Sequence, residues 1–533
     1  MRRTAFGIDL GTTNSSIAFV DETERPTVVE NAMGEATTPS VVYFDEPGSA
    51  VVGRSAKMAA ALAPHLVAQL VKRRMGQPGG SLSFNGEVYE PETISAFVLQ
   101  DLAKSAKART GDEVMDVVIT VPAYFGVAER DATRKAGRIA QLNVLGVLDE
   151  PVAAALAYQA RRPADGVRHL LVYDLGGGTF DTSVIRVDGE DFRVICTDGD
   201  LRLGGVDWDA RIKRFMLETF TTRHPRLDPR ADERLMDDVA AGAEQLKMEL
   251  SATRSGSRKI RFGGEVVEVV LTREKLEELT EDLLAKTLTI TERTIETARG
   301  KGVPVIDEAI LVGGMTRMAA IPERLRERFG LKARRHDPDL AVVKGAALEA
   351  SRLSAARSAD TRDGAADLGA AGASSTTSQK VATVVPRGFG IKVVDEHDPK
   401  FATKPHLARQ FITHLLPPNT PLPADTGPVT FMTGMSNQPF VEVEVWEQKA
   451  GAHSEEIADN EVVGRGWLRV PPKLPVRSLI HVTFTMAETG VLTVSAREPI
   501  SGNELSLELQ IGGMDEAAVD AARTAVARHR MSS

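Results

Sequence analysis

The chain has 533 residues, of which 42% are apolar, and a formal net charge of −9. This length is too great for one hydrophobic core and predicts two or three domains. The negative charge disfavours nucleic acid as the main partner, because binding to a phosphate backbone needs clustered cations. No apolar run reaches the roughly eighteen residues that a membrane-spanning helix needs, so no membrane span is predicted.

The start of the chain predicts a cytoplasmic protein. Met1–Thr4 contains paired arginines, as export signals do, but Phe6–Gly11 has an acid and two glycines where a signal has its apolar stretch. The single cysteine, Cys196, permits no internal disulfide, which fits a reducing compartment.

Residues 1–353 alternate short Val/Ile-rich runs with helical patterns, which is typical of an α/β domain. Val117–Val121 and Ala309–Val312 are predicted to be buried strands. Arg273–Ala298 is rich in Glu, Leu and Lys and predicts one long helix, with Thr272 as its N-cap.

The composition changes after residue 353. Residues 354–385 are predicted to be a flexible linker, because their Ala/Ser/Thr-rich sequence has too little apolar surface to offset the entropy of ordering. Residues 386–512 contain alternating runs such as Phe440–Val445, separated by turn signals, and predict an all-β domain. Residues 513–533 predict at most one short helix, with weak apolar positions at Val519, Ala522 and Val526.

The most informative pattern is an internal repeat. Ile8–Asn14 and Tyr173–Asp181 each read as an apolar strand, then Asp-Leu-Gly, then a small-residue turn and a second β-prone run. The two aspartates, Asp9 and Asp174, lie 165 positions apart (174 − 9 = 165). One such turn alone is usually an ordinary turn, but two matched copies at domain-scale separation predict a two-sided phosphate clamp.

The chemistry of the repeat supports that interpretation. Glycines and small residues let backbone N–H groups approach an anion. A carboxylate there would repel phosphate directly, so Asp9 and Asp174 are expected to hold a hydrated Mg²⁺ that bridges the phosphates. No G-x-x-x-x-G-K-[ST] motif occurs, so the chain is not a P-loop enzyme. The predicted phosphate-contacting residues are Gly11, Thr12, Thr13, Asn14, Gly176, Gly177 and Gly178.

Three further segments carry a family resemblance. VVITVPAYFGVAERDATRKAGR (Val117–Arg138), VLDEPVAAALAY (Val147–Tyr158) and Leu203–Asp207, together with the paired hairpins, resemble the DnaK-type 70-kDa heat-shock chaperones over residues 4–353. The resemblance implies an α/β actin-like ATPase domain, ribonuclease H-like and duplicated, followed by an all-β sandwich. It also implies slow hydrolysis of ATP with water-mediated Mg²⁺.

The resemblance also implies roles for individual residues. Lys72 matches the lysine that steadies charge on the γ-phosphate and positions the attacking water. Glu150 matches the carboxylate that helps to place the metal shell and the water, and Thr179 matches a hydroxyl that contacts the γ-phosphate. Asp9 and Asp174 complete this hydrolytic set, in which Asp9, Asp174 and Glu150 serve the metal.

The adenosine end of the nucleotide is expected on the second half of the domain. Glu244, Lys247 and Ser251 lie at i, i+3 and i+7 and so share a helical face. Met248 departs from the family, which usually has a basic residue there, and predicts weaker nucleotide affinity. The residues that the resemblance places around the nucleotide are Gly204, Gly205, Glu244, Lys247, Ser251, Gly313, Gly314, Arg317 and Asp339.

The second half resembles the family's peptide-binding domain less closely. Pro386–Ile391, Leu416–Pro423 and Gly490–Ala496 are the matching pieces, and Asp395–Gln410 looks like an insertion, so no pocket residues are assigned. Val381–Val385 stands where the family has an acidic-apolar linker and contains no acid. Only residues 513–533 stand where the family has a helical lid, which predicts fast peptide exchange.

Three hypotheses for function remain open at this point. The first is an ATP-dependent chaperone that binds unfolded or extended polypeptide as a monomer, with a J-domain co-chaperone and a nucleotide exchange factor as implied partners. The second is a nucleotide-dependent adaptor or signalling module whose β-domain docks one dedicated partner. The third, a small-molecule kinase on the same fold, gives the β-domain no role.

Overall fold

The computed structural model describes residues 4–77, 79–162, 166–363, 380–401, 403–404, 407–449, 453–488, 490–509 and 514–532. No helix among them is long and apolar enough to cross a bilayer.

The first sheet of the α/β part is built around the first hairpin. Its strands run in the order β11-β10-β1-β2-β3, with β4 also paired to β2. The central pair, β1 and β2, is antiparallel, and β1 pairs in parallel with β10. The elements of this part are β1 Phe6–Leu10, β2 Asn14–Val20, β3 Pro26–Val29, β4 Thr38–Pro39, β5 Val42–Tyr43, β6 Ser49–Val52, α1 Arg54–Ala59, β7 Val67–Ala68, β8 Leu82–Phe84, β9 Glu87–Tyr89, α2 Pro91–Thr110, β10 Asp116–Val121, α3 Val127–Ile139, β11 Asn143–Asp149 and α4 Glu150–Arg161.

The second sheet repeats this pattern around the second hairpin. Its strands run β18-β17-β12-β13-β14, and the neighbouring strands have the same parallel and antiparallel directions as in the first sheet. The elements are β12 Val167–Leu175, β13 Phe180–Asp188, β14 Asp191–Asp200, α5 Gly205–Arg223, α6 Glu233–Leu250, β15 Ser255–Phe262, β16 Glu265–Thr272, α7 Arg273–Leu279, α8 Glu281–Gly300, β17 Glu308–Val312, α9 Ala320–Phe329, β18 Ala333–Arg335 and α10 Ala341–Asp363.

Two helices join the sheets. α10 packs on the first sheet and α4 on the second, and the two helices pack against each other. Gly345 permits this contact, because a Cβ there would lie 1.8 Å from the carbonyl oxygen of Ala153. The predicted strands at Val117–Val121 and Ala309–Val312 are confirmed as β10 and β17, and both are buried.

The single helix predicted over Arg273–Ala298 is wrong. The chain forms α7 and α8 with a break at Thr280, whose backbone leaves the helical region (φ −126°, ψ 15°). The Thr280 amide donates to the Glu277 carbonyl (3.3 Å), and the Thr280 carbonyl accepts from the Leu284 amide (3.1 Å), so one helix ends and the next begins at this residue. The predicted N-cap is confirmed, since Thr272 Oγ1 accepts from the Lys275 amide (3.2 Å).

The later part of the chain forms antiparallel sheets, as the alternating runs predict. One sheet has the order β21-β20-β24-β25, and another has β22-β26-β27-β28 with β23 also on β26. Val443 and Val445 of the first share a buried cluster with Phe484 and Val494 of the second. The elements are β19 Lys380–Ala382, β20 Phe389–Val394, β21 Gln410–Leu416, β22 Ala424–Asp425, β23 Val429–Met432, β24 Phe440–Gln448, β25 Asn460–Arg469, β26 Leu479–Met486, β27 Leu492–Arg497, β28 Glu504–Leu509, α11 Glu516–Arg528 and β29 Arg530–Ser532.

The region predicted as a flexible linker, 354–385, is ordered at both ends. α10 continues to Asp363, and β19 adds in parallel to β14 at the edge of the second sheet. Residues 364–379 lie outside the described residues. Apolar side chains explain the ordered end, since Val384 is buried and Val381 packs against the same core cluster.

The strands of 389–509, here called the β-domain, contact the α/β part through buried charges. The guanidinium of Arg387, just before β20, bonds Glu129 of α3 (2.6 Å) and lies 3.3 Å from Glu447 of β24. Burial raises the pKa of Glu447 to about 8, with Arg387 opposing and Glu129 adding to the rise. Gly126 makes room for the group, because a Cβ there would lie 1.9 Å from Arg387 Nη2.

We expect Arg387→Met to destabilise the full chain by about 3–5 kcal/mol, because Glu129 and Glu447 would stay buried without their cation. Urea unfolding followed by tryptophan fluorescence measures this loss, since Trp446 adjoins Glu447 in β24. Arg465→Met is the matched control, because Arg465 is an exposed arginine paired with Glu444 in the same domain. An equally small loss of unfolding free energy in both variants would contradict the stabilising role assigned to the buried Arg387 contact.

Candidate functional site

The two small-residue turns face each other at the ends of the paired sheets. A Cβ on Gly177 would lie 2.5 Å from the hydroxyl of Thr13, and one on Gly178 would lie 2.6 Å from that of Thr12. The hairpins are therefore in direct contact, and any side chain at these glycines would force them apart. The structure thus brings together the two turns that the sequence repeat predicts.

Backbone bonds fix the second turn. The Gly176 amide donates to the Thr179 carbonyl (3.1 Å) and closes the turn. The Gly205 amide donates to the Gly176 carbonyl (3.0 Å), which brings the start of α5 beside it. Gly204 packs on the backbone of Gly178, where a Cβ would lie 2.6 Å away. The second turn, Thr179 and residues 204–205, all predicted to contact the nucleotide, therefore form one continuous surface.

In the first turn, a Cβ on Gly11 would lie 2.1 Å from the carbonyl oxygen of Asn14, which requires glycine there. The Gly11 carbonyl accepts a hydrogen bond from the Ser40 hydroxyl (2.8 Å). The Asn14 amide group lies 3.4 Å from Thr13 Oγ1. Gly11, Thr12, Thr13 and Asn14 thus occupy one tight turn.

Lys72 and Glu150 form a buried ion pair at the base of the cleft. The ammonium of Lys72 lies 2.6 Å from Glu150 Oε1, and the two side chains are 6% and 10% exposed. The ammonium also lies 5.7 Å from the centre of the Phe125 ring. Lys72 is in a short 3₁₀ helix and Glu150 begins α4, so the pair joins elements that are 78 residues apart.

Carboxylates surround this pair. Burial raises the pKa of Asp9 to about 7, Glu150 adds to the rise, and Lys72 and a hydrogen bond from Thr120 (3.2 Å) oppose it. Burial also raises the pKa of Asp174 well above its usual range, and Glu150, Asp181 and Asp9 add to that rise. The predicted metal-serving acids, Asp9, Asp174 and Glu150, are therefore close enough to repel one another.

Asp181 belongs to the same cluster, although sequence reasoning gave it no role. Burial raises its pKa to about 8, Glu150 adds to the rise, and the Tyr124 amide opposes it by donating to Oδ1 (2.9 Å). Its Oδ2 is buried with no hydrogen-bond partner among the described residues. Asp181 faces Asp174 across the second hairpin, where Ser16 faces Asp9 in the first. That unequal position in the repeat was the signal available in the sequence.

Arg73 is a second residue that sequence reasoning missed. Its Nε donates to the Gly178 carbonyl (2.8 Å), and its Nη2 bonds the Asp207 carboxylate (2.6 Å). Asp207 in turn accepts from the Gly204 amide (2.8 Å) at the start of α5. Arg73 therefore holds the second turn and α5 from the opposite side of the cleft.

The predicted adenosine side is built on α6. The ammonium of Lys247 donates to the Gly205 carbonyl (3.0 Å) and bonds Asp209 (2.7 Å). Glu244 reaches across the cleft to Lys57 of α1 (2.8 Å). Ser251 caps the end of α6, where its hydroxyl lies 3.4 Å from the Lys247 carbonyl, and Met248 is exposed.

The residues after β17 complete this side. Gly313 has φ +82°, and a Cβ there would lie 2.7 Å from Asp174 Oδ1, so glycine is required beside the carboxylate cluster. Arg317 forms an ion pair with Asp339, and Asp339 also lies next to Gly314. These predicted residues therefore line one wall, continuous with the second turn.

The carboxylates of the cleft have the chemistry to hold a hydrated Mg²⁺. The described residues hold no group of three or more His, Cys, Asp and Glu that could bind a metal ion directly. Asp9, Asp174, Glu150 and the unpaired Asp181 oxygen instead form a cluster whose mutual repulsion a cation would relieve. Mg²⁺ keeps several of its waters, and carboxylates can hold it through them.

We expect Asp181→Asn to flatten the dependence of stability on pH, measured by urea unfolding without nucleotide in a chelator. The pKa of Asp181 is raised in the folded protein, so its contribution is fully present below about pH 4. That contribution is lost as the pH rises towards 8, by about 1.4 kcal/mol for each unit of pKa difference. Asp191→Asn, an exposed acid on the next strand, is the control and should change nothing. A variant with the wild-type slope would contradict the buried, protonated state of Asp181.

One comparison with known proteins bears on these features. The family model described as Hsp70 protein matches residues 5–363, which is more than half of the chain and spans both turns, the Lys72–Glu150 pair and the Arg317–Asp339 wall. Members of that family are ATPases and nucleotide-binding chaperones. The chain belongs to the Hsp70 family.

Proposed function

We propose that this chain is an ATP-hydrolysing chaperone whose β-domain binds extended or unfolded polypeptide. The observation that carries the proposal is the meeting of two small-residue turns beside a buried lysine and four carboxylates: Asp9, Glu150, Asp174 and Asp181. The matched directions of the two sheets support a duplicated, ribonuclease H-like ATPase fold. The shared core of the two antiparallel sheets supports a β-sandwich for the β-domain.

The residues of the cleft have complementary tasks in this proposal. Hydrolysis of the γ-phosphate requires a water placed in line and neutralised oxygen charge. Lys72 supplies an ammonium held in place by Glu150, so little reorganisation is needed as charge develops on the phosphate. Backbone amides of the turns at Gly11–Asn14 and Gly177–Gly178 hold the phosphates, while the Gly176 amide closes the second turn. Bound Mg²⁺ would neutralise phosphate charge, held through its waters by Asp9, Asp174 and Glu150 with Asp181 beside them.

The β-domain offers apolar surface for an extended chain. Met432 of β23 and Leu479 of β26 are paired across the sheet, and both are exposed. Phe440 and Trp467, also in described strands, are exposed as well. Peptide would bind such a surface through backbone hydrogen bonds and buried side chains.

The β-domain contacts both halves of the α/β part, here called the ATPase part, whose first half contains the first sheet and whose second half contains the second. These contacts support coupling of nucleotide state to peptide affinity. Arg387 bonds Glu129 of α3 on the first half. On the second half, Asn419 Oδ1 accepts from the Thr197 amide (2.8 Å), and Lys301 donates to the Asn419 carbonyl. A change in the angle between the two halves would alter either the Arg387 contact with the first half or the Asn419 contacts with the second half. β19 on β14 supplies a third link, although the linker contains no acid.

One observation favours the adaptor as the alternative. The loop after β20, where sequence comparison suggests an insertion, has internal structure. Asp398 accepts from the backbone amides of Lys400 and Arg409 (2.8 Å each), and Arg409 bonds Glu456 (2.5 Å). A structured loop of this kind gives the β-domain a surface that one dedicated partner could recognise. A J-domain co-chaperone, a nucleotide exchange factor and a cytoplasmic, monomeric state remain parts of the main proposal.

We expect Lys72→Ala to leave ATP binding largely intact and to lower turnover severalfold or more, because the turns and the adenosine wall remain. Single-turnover hydrolysis and nucleotide titration separate the two quantities. Lys104→Ala, an exposed lysine of α2, is the control. Turnover unchanged in Lys72→Ala would refute the role assigned to the lysine.

Binding of an unstructured apolar peptide, followed by fluorescence anisotropy with ATP and then ADP, tests the whole proposal. We expect affinity or release rate to differ between the two nucleotides. Binding without any difference would reject coupling, and no binding at all would favour the adaptor. Phe440→Ser is expected to weaken binding, while Val88→Ser, an exposed apolar residue of the ATPase part, should not.

A further inference from the structure

Residues 514–532, here called the tail, lie on the ATPase part and not on the β-domain that precedes them. β29 pairs in parallel with β6, with Arg530, Met531 and Ser532 opposite Ser49, Ala50 and Val51. The Arg530 amide also donates to the Gly48 carbonyl (2.9 Å). The tail thus extends a sheet, β29-β6-β5-β7, that belongs to the first half of the ATPase part. The sequence predicts the helix of this tail but neither the strand nor the docking.

The helix of the tail is part of the core. α11 packs against α2 and α3. Val519 and Val526 are 1% exposed and Ala522 is 8% exposed, and all three belong to the cluster that contains Phe97 of α2 and Ile139 of α3. Residues at i, i+3 and i+7 lie on one face of a helix, so the weak apolar pattern seen in the sequence is the buried face of α11.

Polar contacts fix both ends of the helix. At its start, Glu516 forms a two-point ion pair with Arg138 of α3 (2.8 and 2.5 Å), and Asp515 caps the helix by accepting from the Ala518 amide (2.7 Å). At its end, His529 Nε2 lies 3.1 Å from the Tyr89 hydroxyl, and its ring packs edge-on against Phe97 at 5.1 Å between centroids. The surface of the α/β part formed by α2, α3 and β6 therefore contacts the tail through its helix, its strand and its ion pair.

The docked tail limits how far the β-domain can move. β28 of the β-domain ends at Leu509, and Met514 already packs on the core of the ATPase part (514 − 509 = 5). Five residues span at most about 18 Å when fully extended. The other connection is similarly short while β19 stays paired with β14, since β19 ends at Ala382 and β20 begins at Phe389 (389 − 382 = 7). If β19 left β14, that connection would include residues 364–379 and would set a far looser limit than the tail does.

We propose that the tail is an internal clasp, and that it holds the β-domain next to the ATPase part with ATP and with ADP alike. The clasp depends on a buried apolar face, strand addition and an ion pair, all remote from the phosphate-binding turns. Nucleotide exchange therefore has no direct contact through which to release it. Peptide affinity is then set by small shifts at the Arg387 and Asn419 contacts while the β-domain stays tethered.

Charge reversal tests the clasp in the full chain. Arg138→Glu and Glu516→Arg each place like charges together, and the double variant restores the pair with its signs exchanged. Arg523→Glu is the matched control, because Arg523 pairs only with Asp520 of the same helix in the described contacts. Hydrogen exchange of residues 515–532 reports on docking without nucleotide, with ATP and with ADP, so it does not depend on hydrolysis or peptide binding.

The position of the β-domain is measured between spin labels on Glu22→Cys, in an exposed turn after β2, and Ser506→Cys in β28. Cys196 is buried and should not take a label. We expect the wild type to keep both its protection and its distance in all three states. Each single reversal should lose at least tenfold of the protection and gain a longer-distance population with ADP, and the double variant should recover.

Two results would overturn the proposal. One is loss of protection over 515–532 in the wild type with ADP, which would make the clasp a nucleotide-dependent contact. The other is lost protection in the single variants with no change in the measured distance, which would mean that the tail does not restrain the β-domain. Either result is independent of whether the chain hydrolyses ATP, because the proposed function is tested by turnover and anisotropy.

Discussion

The cleft depends on one electrostatic constraint: three buried carboxylates, of Glu150, Asp174 and Asp181, and the half-buried carboxylate of Asp9 lie around the ammonium of Lys72. Burial raises the pKa of Asp9, Asp174 and Asp181, and Glu150 adds to the rise at all three. Asp9 and Asp181 also raise the pKa of Asp174. Such a cluster is held together only because the surrounding backbone fixes it. Two sheets with the same strand order supply that backbone, and the glycines at 177 and 178 let their turns touch. A bound cation would relieve the repulsion, so the cluster is suited to a ligand that brings one.

The sequence could predict the local interactions of this site but not those between residues far apart in the chain. The turns at Gly11–Asn14 and Gly176–Gly178 are set by neighbouring residues, so a repeated motif is enough to identify them. Asp181 and Arg73 escaped because their importance comes from distant partners. Asp181 is bonded by the Tyr124 amide, 57 residues away, and Arg73 bonds Asp207 across the cleft, 134 residues away. A single sequence shows neither pairing, and the one available signal was that Asp181 stands in the second hairpin where Ser16 stands in the first.

The same distinction explains the fold. Alternation and helical period predicted the strands and α11. The single helix predicted over Arg273–Ala298 was wrong, because a helical period continues through Thr280 and does not show that the backbone leaves the helical region there. The apolar positions Val519, Ala522 and Val526 were visible, but a period shows only that a face is apolar and not what covers it. The order seen at β19 has a similar origin, because Val381 within the strand and Val384 just after it pack against a core to which Val172 and Ile185, about two hundred positions away, contribute.

Two interfaces of different physical character hold the β-domain to the α/β part. The Arg387 contact is a buried charge network. Within the described residues, Arg387 Nε and Glu447 Oε1 lie 3.3 Å apart as an ion pair, but neither atom has a hydrogen-bond partner. Such a network depends steeply on geometry, because a small displacement leaves charges uncompensated in a low-dielectric setting. The tail contact depends on apolar burial and strand pairing, which tolerate small displacements. A rotation of the two halves of the α/β part would therefore disturb the charged interface first, so a tethered β-domain could still respond to a bound nucleotide.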